Sequence, residues 1–207
     1  DYFSTEFFKG ASSILEAESY TGVLFDTNSS VKREASLLDR ISQQNFDGVI
    51  MQPISADNEV LQKHIKKNLP VVLVDRETTG GDYDMVVTDN EQAAKRAAQH
   101  YRDQGFANVV VISEPIANVS TRTARWRGVQ AVYPDAQMIE IAHAGIIGAE
   151  QVQAIISQLP TDAPTVVFFF KERLMLEILP HMIRENVLTA QLQVTGFSDT
   201  KLARDLN

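Results

Sequence analysis

The chain of 207 residues contains no cysteine. That excludes disulfides, thiol nucleophiles and every cysteine-ligated metal or cluster site. No apolar run reaches the roughly 18 residues that a helical membrane span needs, so no membrane segment is expected, nor is a signal peptide. Histidine is scarce: His64, His100, His143 and His181 are scattered, without the close spacing of a metal-binding helix. Also missing are the glycine-rich dinucleotide loop, the phosphate loop that ends in lysine, and the strand–serine–helix elbow of hydrolases. Basic residues are in deficit, 19 against 27 acidic ones, for a formal charge of −8. Such a balance argues against this stretch gripping nucleic acid or an anionic membrane by itself. No acid–base pair, nucleophile, cofactor loop or metal-ligand set can be assembled. The expectation is a cytoplasmic protein that is not an enzyme and uses neither cofactor nor metal.

The patterning alternates between strand-like and helix-like segments. Phe7, Phe8, Ala11, Ile14 and Leu15 recur at helical spacing over residues 4–18. Val23-Leu-Phe-Asp26 reads as a short strand, and helical spacing returns from Val31. Asp47-Gly-Val-Ile-Met-Gln52 is a second strand, residues 57–68 a helix ended by Pro70, and Val71-Val-Leu-Val-Asp75 a third strand. After the Thr78-Thr-Gly-Gly81 turn, Met85-Val-Val-Thr88 is a strand. Asp89 or Asn90 caps a helix to about Gln104, with Gly105 as its C-cap. Val109–Ser113, Met138–Ile141, Thr165–Phe170 and Gln193–Phe197 are further strands. Between them, helices follow Asn118, cover residues 149–159, and start at about Glu172, the last kinked or divided by Pro180. Strands that are apolar throughout are buried on both faces, so parallel doubly wound sheets are predicted. One sheet hands over to a second near Gly80–Thr88, leaving a cleft at the carboxyl ends of the strands.

The stretch Asn118-Val-Ser-Thr-Arg-Thr-Ala-Arg-Trp-Arg-Gly128 occupies the position most favourable for a ligand. It leaves the carboxyl end of a strand and opens a helix, which Ser120 or Thr121 is placed to cap. Arg122 and Arg125 lie three apart on one face of its first turns, where the helix dipole favours anions rather than cations. An anionic or polyol ligand accounts for them, as does a salt-bridged pair. Lys171 closes the Thr165–Phe170 strand and points into a cleft at that edge. With Arg125 it makes a positive pocket suited to an acidic or phosphorylated ligand; a salt bridge to Glu172 or Asp199 is the plainer alternative. Asp1, Asp75, Asp89 and Asp199 stand at element ends, suited to sugar hydroxyls or to capping. Phe3, Trp126 and Phe168–Phe170 are candidates for stacking on a sugar face or for the core.

Taken together these residues resemble the effector-binding core of the LacI/GalR family of bacterial transcription regulators. The resemblance rests on Phe3 through Gly10, Phe46-Asp-Gly-Val-Ile50 and Pro70-Val-Val-Leu-Val-Asp-Arg76. It continues through Val86-Val-Thr-Asp-Asn90, Gly105-Phe-Ala-Asn-Val109, Val119-Ser-Thr-Arg122, Arg125-Trp-Arg-Gly128 and Val194-Thr-Gly-Phe-Ser-Asp-Thr200. It implies two flavodoxin-like doubly wound subdomains, residues 1–87 and 88–207, with an effector cleft between them as in periplasmic binding proteins. It also implies a homodimer, a sugar or sugar-acid effector, and operator DNA read by an N-terminal helix-turn-helix domain that this chain does not include. The first strand before Asp1 and a C-terminal segment that returns to the first subdomain are likewise expected to lie outside it. The effector contacts carried over are Phe3 and Ser4, Asp75, Thr121, Arg122 and Arg125, with Lys171 and Ser198 at positions that depart from the family. There the family has Asn-Asp where this chain has Lys171-Glu172, and an aspartate where Ser198 stands. Both departures make the pocket more positive. The Ser-Thr-Arg…Arg run with Lys171 looks like the branch that senses 2-keto-3-deoxygluconate. A periplasmic sugar-binding protein for transport is the rival reading, and a regulator that answers to a phosphorylated protein is another.

Overall fold

A computed structural model describes residues 2–66, 68–117, 119–142 and 147–197. It divides into two compact units, one made of residues 1–49 and 58–70, the other of residues 50–57 and 71–207. In the first, α1 (Tyr2–Ala17) and α2 (Val31–Gln43) are joined by residues 18–30, which form neither helix nor strand, and α3 (Glu59–His64) follows later. The Ser30 hydroxyl caps α2 by accepting from the Arg33 amide. Leu38 and Ile41 of α2 and Leu61 of α3 are buried. The Ser42 hydroxyl donates to the His64 carbonyl, 2.6 Å away. Residues 23–26 form no strand, against the sequence expectation. A strand needs a ladder partner, the described residues offer them none, and Val23 and Leu24 stand exposed.

The strands β1 (Val49–Met51), β2 (Val71–Val74) and β3 (Asp84–Val86) form one sheet in that order, with β2 and β3 parallel. The second sheet contains β4 (Asn108–Ser113), β5 (Gln137–Glu140), β6 (Thr165–Phe169) and β7 (Leu192–Gly196), all parallel and ordered β5-β4-β6-β7. This is the flavodoxin-like winding, in which the chain reverses direction between β4 and β6. The central strands β4 and β6 are buried on both faces, as their continuous apolar sequences predict. One face packs α6 (Ala149–Ile156) and α7 (Glu172–Arg184) over Ile112, Val167 and Phe169. The other packs α4 (Asn90–Asp103) and α5 (Ser120–Gln130) over Val111, Val166 and Phe168.

Asp89 caps α4 by accepting from the Gln92 amide, and Gly105 follows its end at φ +89°, a left-handed turn that glycine adopts without strain. The cap residue of α5 is Val119, with no side-chain cap bond. Neither Ser120 nor Thr121 caps it; the Ser120 hydroxyl instead accepts from the Glu77 amide at 2.9 Å. Pro180 does not divide α7, which runs unbroken from Glu172 to Arg184. Burial of Leu174, Met175, Ile178, Leu179 and Met182 outweighs the hydrogen bond that proline removes. The helix expected over residues 57–68 is confined to Glu59–His64.

Candidate functional site

The reversal between β4 and β6 is where an open α/β sheet presents a crevice at its carboxyl edge. The side chain of Arg125, in the second turn of α5, leans back toward the helix N-terminus and so toward that edge. Three groups fix it. Its Nε donates to the Asn90 side-chain oxygen at 2.8 Å, and one terminal nitrogen donates to the Phe170 carbonyl at 2.9 Å. Its guanidinium carbon lies 4.6 Å from the centre of the Phe197 ring. None of these partners carries a charge. Burial draws the Arg125 pKa down from its usual value, with Asp75 opposing the shift and Arg122 adding to it. A desolvated guanidinium held rigid by neutral partners is prepared to bind a carboxylate or phosphate by charge-assisted hydrogen bonds.

Asp75 stands just beyond β2 at φ +62°, an uncommon backbone state for a residue with a side chain. The Gln52 amide donates to its Oδ2 at 2.5 Å. Arg76 beside it donates to the Pro53 carbonyl at 3.2 Å.

Arg122 has partners of its own. It donates to the Pro115 carbonyl at 2.9 Å and forms an ion pair with Glu114, the residue that follows β4. Glu114 is buried, at 6% exposure, and its other oxygen accepts from Arg173 at 3.3 Å. Arg173 continues to Glu177 at 2.7 Å, and Glu177 accepts from the Ile147 amide at 3.1 Å. Burial also lowers the Lys171 pKa; Glu114 opposes this, and Arg122, Arg76 and Arg173 reinforce it. Lys171 therefore lies in the field of Glu114 and of three arginines.

The structure thus brings Asp75, Arg122, Arg125 and Lys171 into one electrostatic neighbourhood. Thr121 is buried at 7% exposure near the start of α5. Phe3 and Ser4 lie in α1 of the other unit, where Phe3 stacks on Phe7 with ring centres 6.3 Å apart. Ser198 lies outside the described residues, as do Asp1, His143 and Asp199. Phe168, Phe169 and Phe170 are buried, and Trp126 packs on the α4/α5 core, so none of the four is an open stacking platform. Sequence reasoning missed Glu114, Asn90 as a partner of Arg125, and the Phe197 ring. A shallow cavity of about 120 Å3 lined by Asn108, Tyr133 and Gln137 lies at the amino ends of β4 and β5, away from these groups. No cluster of metal-ligating side chains occurs among the described residues.

A pH dependence follows from Lys171. Its folded pKa is depressed, so between that value and the unfolded value near 10.4 the unfolded chain binds more protons. Stability of the unliganded protein should therefore rise with pH through this window as Lys171 discharges. Urea midpoints measured from pH 7 to 10 check it: Lys171→Met should flatten the rise, and an equal slope in both proteins would show that Lys171 is not its source.

A family model for a periplasmic binding protein domain matches residues 1–206. A LacI transcriptional regulator from Lactobacillus brevis, known from its crystal structure, is 40% identical at a TM-score of 0.92, covering 100% of this chain and 80% of that one. The HTH-type transcriptional regulator KdgR of Bacillus subtilis is 22% identical over 206 residues; the match covers 96% of this chain but only 61% of the relative's length. A LacI family transcriptional regulator from Enterococcus faecium, crystallised with bound ribose, shares the fold at a TM-score of 0.80 and 15% identity, over 99% of this chain and 76% of that one. The match along nearly the whole chain and the 40% identity to a LacI regulator establish that this chain belongs to the periplasmic binding protein domain family, in the form found in LacI-type regulators.

Proposed function

We propose that this chain is the effector-sensing core of a cytoplasmic LacI-type transcriptional regulator, and that its effector is an acidic or phosphorylated sugar. The observation that carries this reading is Arg125, half-buried and oriented by Asn90, Phe170 and Phe197, all uncharged. A guanidinium can donate to a neutral sugar's hydroxyls too, but its bonds to a carboxylate or phosphate are charge-assisted and stronger, and Lys171 adds a second cation nearby. Lys171 is the second cation, Asp75, Thr121 and Ser198 serve hydroxyls, Phe3 packs against the apolar face of the ligand, and Ser4 is a further contact. Arg122 acts on the ligand through the shared field of the cluster. The subdomains are residues 1–87 and 88–207, exchanging at Val87–Thr88. Effector binding favours one of their relative arrangements, and in a homodimer this difference in affinity reaches operator DNA through an N-terminal helix-turn-helix domain. The ribose in the Enterococcus faecium structure supports a sugar-sized ligand. The likeness to the branch that senses 2-keto-3-deoxygluconate supports an acidic one.

A thermal-shift panel of sugar acids, sugar phosphates and neutral sugars tests the proposal. A ligand at one hundred times its dissociation constant stabilises by about 2.7 kcal/mol, or roughly 5–10 °C for a chain of this size. Stabilisation by an acidic member, lost in Lys171→Ala, is the expected result. A response to neutral sugars alone would remove the anionic part of the proposal. Silence across the whole panel would remove the sugar.

A further inference from the structure

Glu114 is unusual for its place. It follows directly on β4, at the carboxyl edge where a ligand approaches, yet its carboxylate is buried. Both oxygens are engaged by guanidinium groups, one by Arg122 from α5 and the other by Arg173 from α7. Burying a carboxylate is costly, and pairing with cations offsets that cost. Here the cations come from two helices that start at the ligand edge. The field of Glu114 also reaches Lys171, while Arg122 is coupled to Arg125. Arg76, Arg122, Arg125, Lys171 and Arg173 are matched in number by Glu114, Asp75, Glu177, Glu140 and Glu172 among the described residues. Without Glu114 the cations of this cluster would outnumber its anions.

We propose that Glu114 is a built-in counter-anion that sets the charge of the preferred effector, favouring a singly charged carboxylate over a doubly charged phosphate. This rests on the proposed sugar-anion reading and selects within it. With Arg122 and Arg173 engaged by Glu114, the ligand's anion meets Arg125, whose direct partners are all neutral. A phosphate dianion in that place feels the repulsion of Glu114 twice over and a carboxylate once. Glu114 is thus a specificity-determining residue that acts through its own charge and by engaging Arg122 and Arg173.

The experiment compares matched pairs of ligands, aldonates against hexose 6-phosphates of the same configuration, by calorimetry at pH 8 and low salt on the full-length protein. In Glu114→Gln the phosphate should gain on the order of tenfold relative to the aldonate. In Arg173→Met, which removes a cation and leaves the carboxylate, the ratio should move the other way. Opposite shifts also separate a charge effect from simple loosening, which would weaken both ligands alike. A ratio unchanged in both variants overturns the inference while leaving the sugar-anion reading intact. If Glu114→Gln does not fold, Arg173→Met decides alone. A wild-type protein that binds neither class overturns the proposed function, and this inference with it.

Discussion

An Arg125→Ala variant is expected to bind sugar acids at least about 100-fold more weakly while keeping its stability to within about 1 kcal/mol. The two halves of this result have different causes. Charge-assisted hydrogen bonds contribute about 1.5–3 kcal/mol each, and two of them from one guanidinium account for the lost affinity. The small change in stability follows from burial. The fold has already partly desolvated this half-buried cation, so removing it relieves a cost. That relief offsets the bonds left unmade at Asn90 and the Phe170 carbonyl. Arg125→Lys should not rescue binding, because an ammonium cannot reproduce the planar fork that holds Asn90 and Phe170 while leaving donors for a ligand. Calorimetry gives the affinity and urea unfolding the stability. Unchanged affinity in Arg125→Ala would sink the assignment of this residue. A large loss of stability would show that it is a structural arginine instead.

The sequence made the C-terminal sheet easier to read than the site it supports. Strands β4 and β6 are buried on both faces, and such strands announce themselves as unbroken apolar runs. Asp89 and Gly105 bound α4 through local chemistry that a sequence displays directly. Residues 23–26 carry a strand-like composition, but a ladder is a property of two segments, and one segment cannot reveal whether its partner is in place. The spacing of Arg122 and Arg125 placed both on the ligand edge. It could not reveal that Glu114 holds one of them and that neutral groups hold the other. A lone glutamate after a strand ordinarily reads as a solvated end. The available signal was its position, directly on the most buried edge and eight residues before an arginine at the opening of a helix. Asn90 read as a cap because caps are local; its bond to Arg125 spans 35 residues and depends on two helices lying close together.

That close approach is set by Gly128, and Gly128→Ala is expected to lower stability by about 3 kcal/mol. A Cβ there would lie 2.2 Å from the Glu91 carbonyl oxygen and 2.9 Å from both the Ala94 Cβ and the Lys95 nitrogen. Each of these atoms belongs to α4, two of them to its backbone, so no side-chain rotation relieves the overlap and the helices must part. The intrinsic helix preference for alanine over glycine, about 1 kcal/mol, acts in the opposite direction and is overwhelmed. The melting temperature should fall by roughly 6–12 °C for a chain of this size. Parting α4 from α5 also draws Asn90 away from the Arg125 Nε, so affinity for a sugar acid should fall even at temperatures where the variant remains folded. Ala94→Gly alongside Gly128→Ala removes one contact but not the two backbone clashes, and should restore little. Stability within 1 kcal/mol of wild type would mean that α5 can shift without cost. Lost stability with undiminished affinity would mean that Asn90 does not position Arg125, and that the Phe170 carbonyl and the Phe197 ring suffice to hold it.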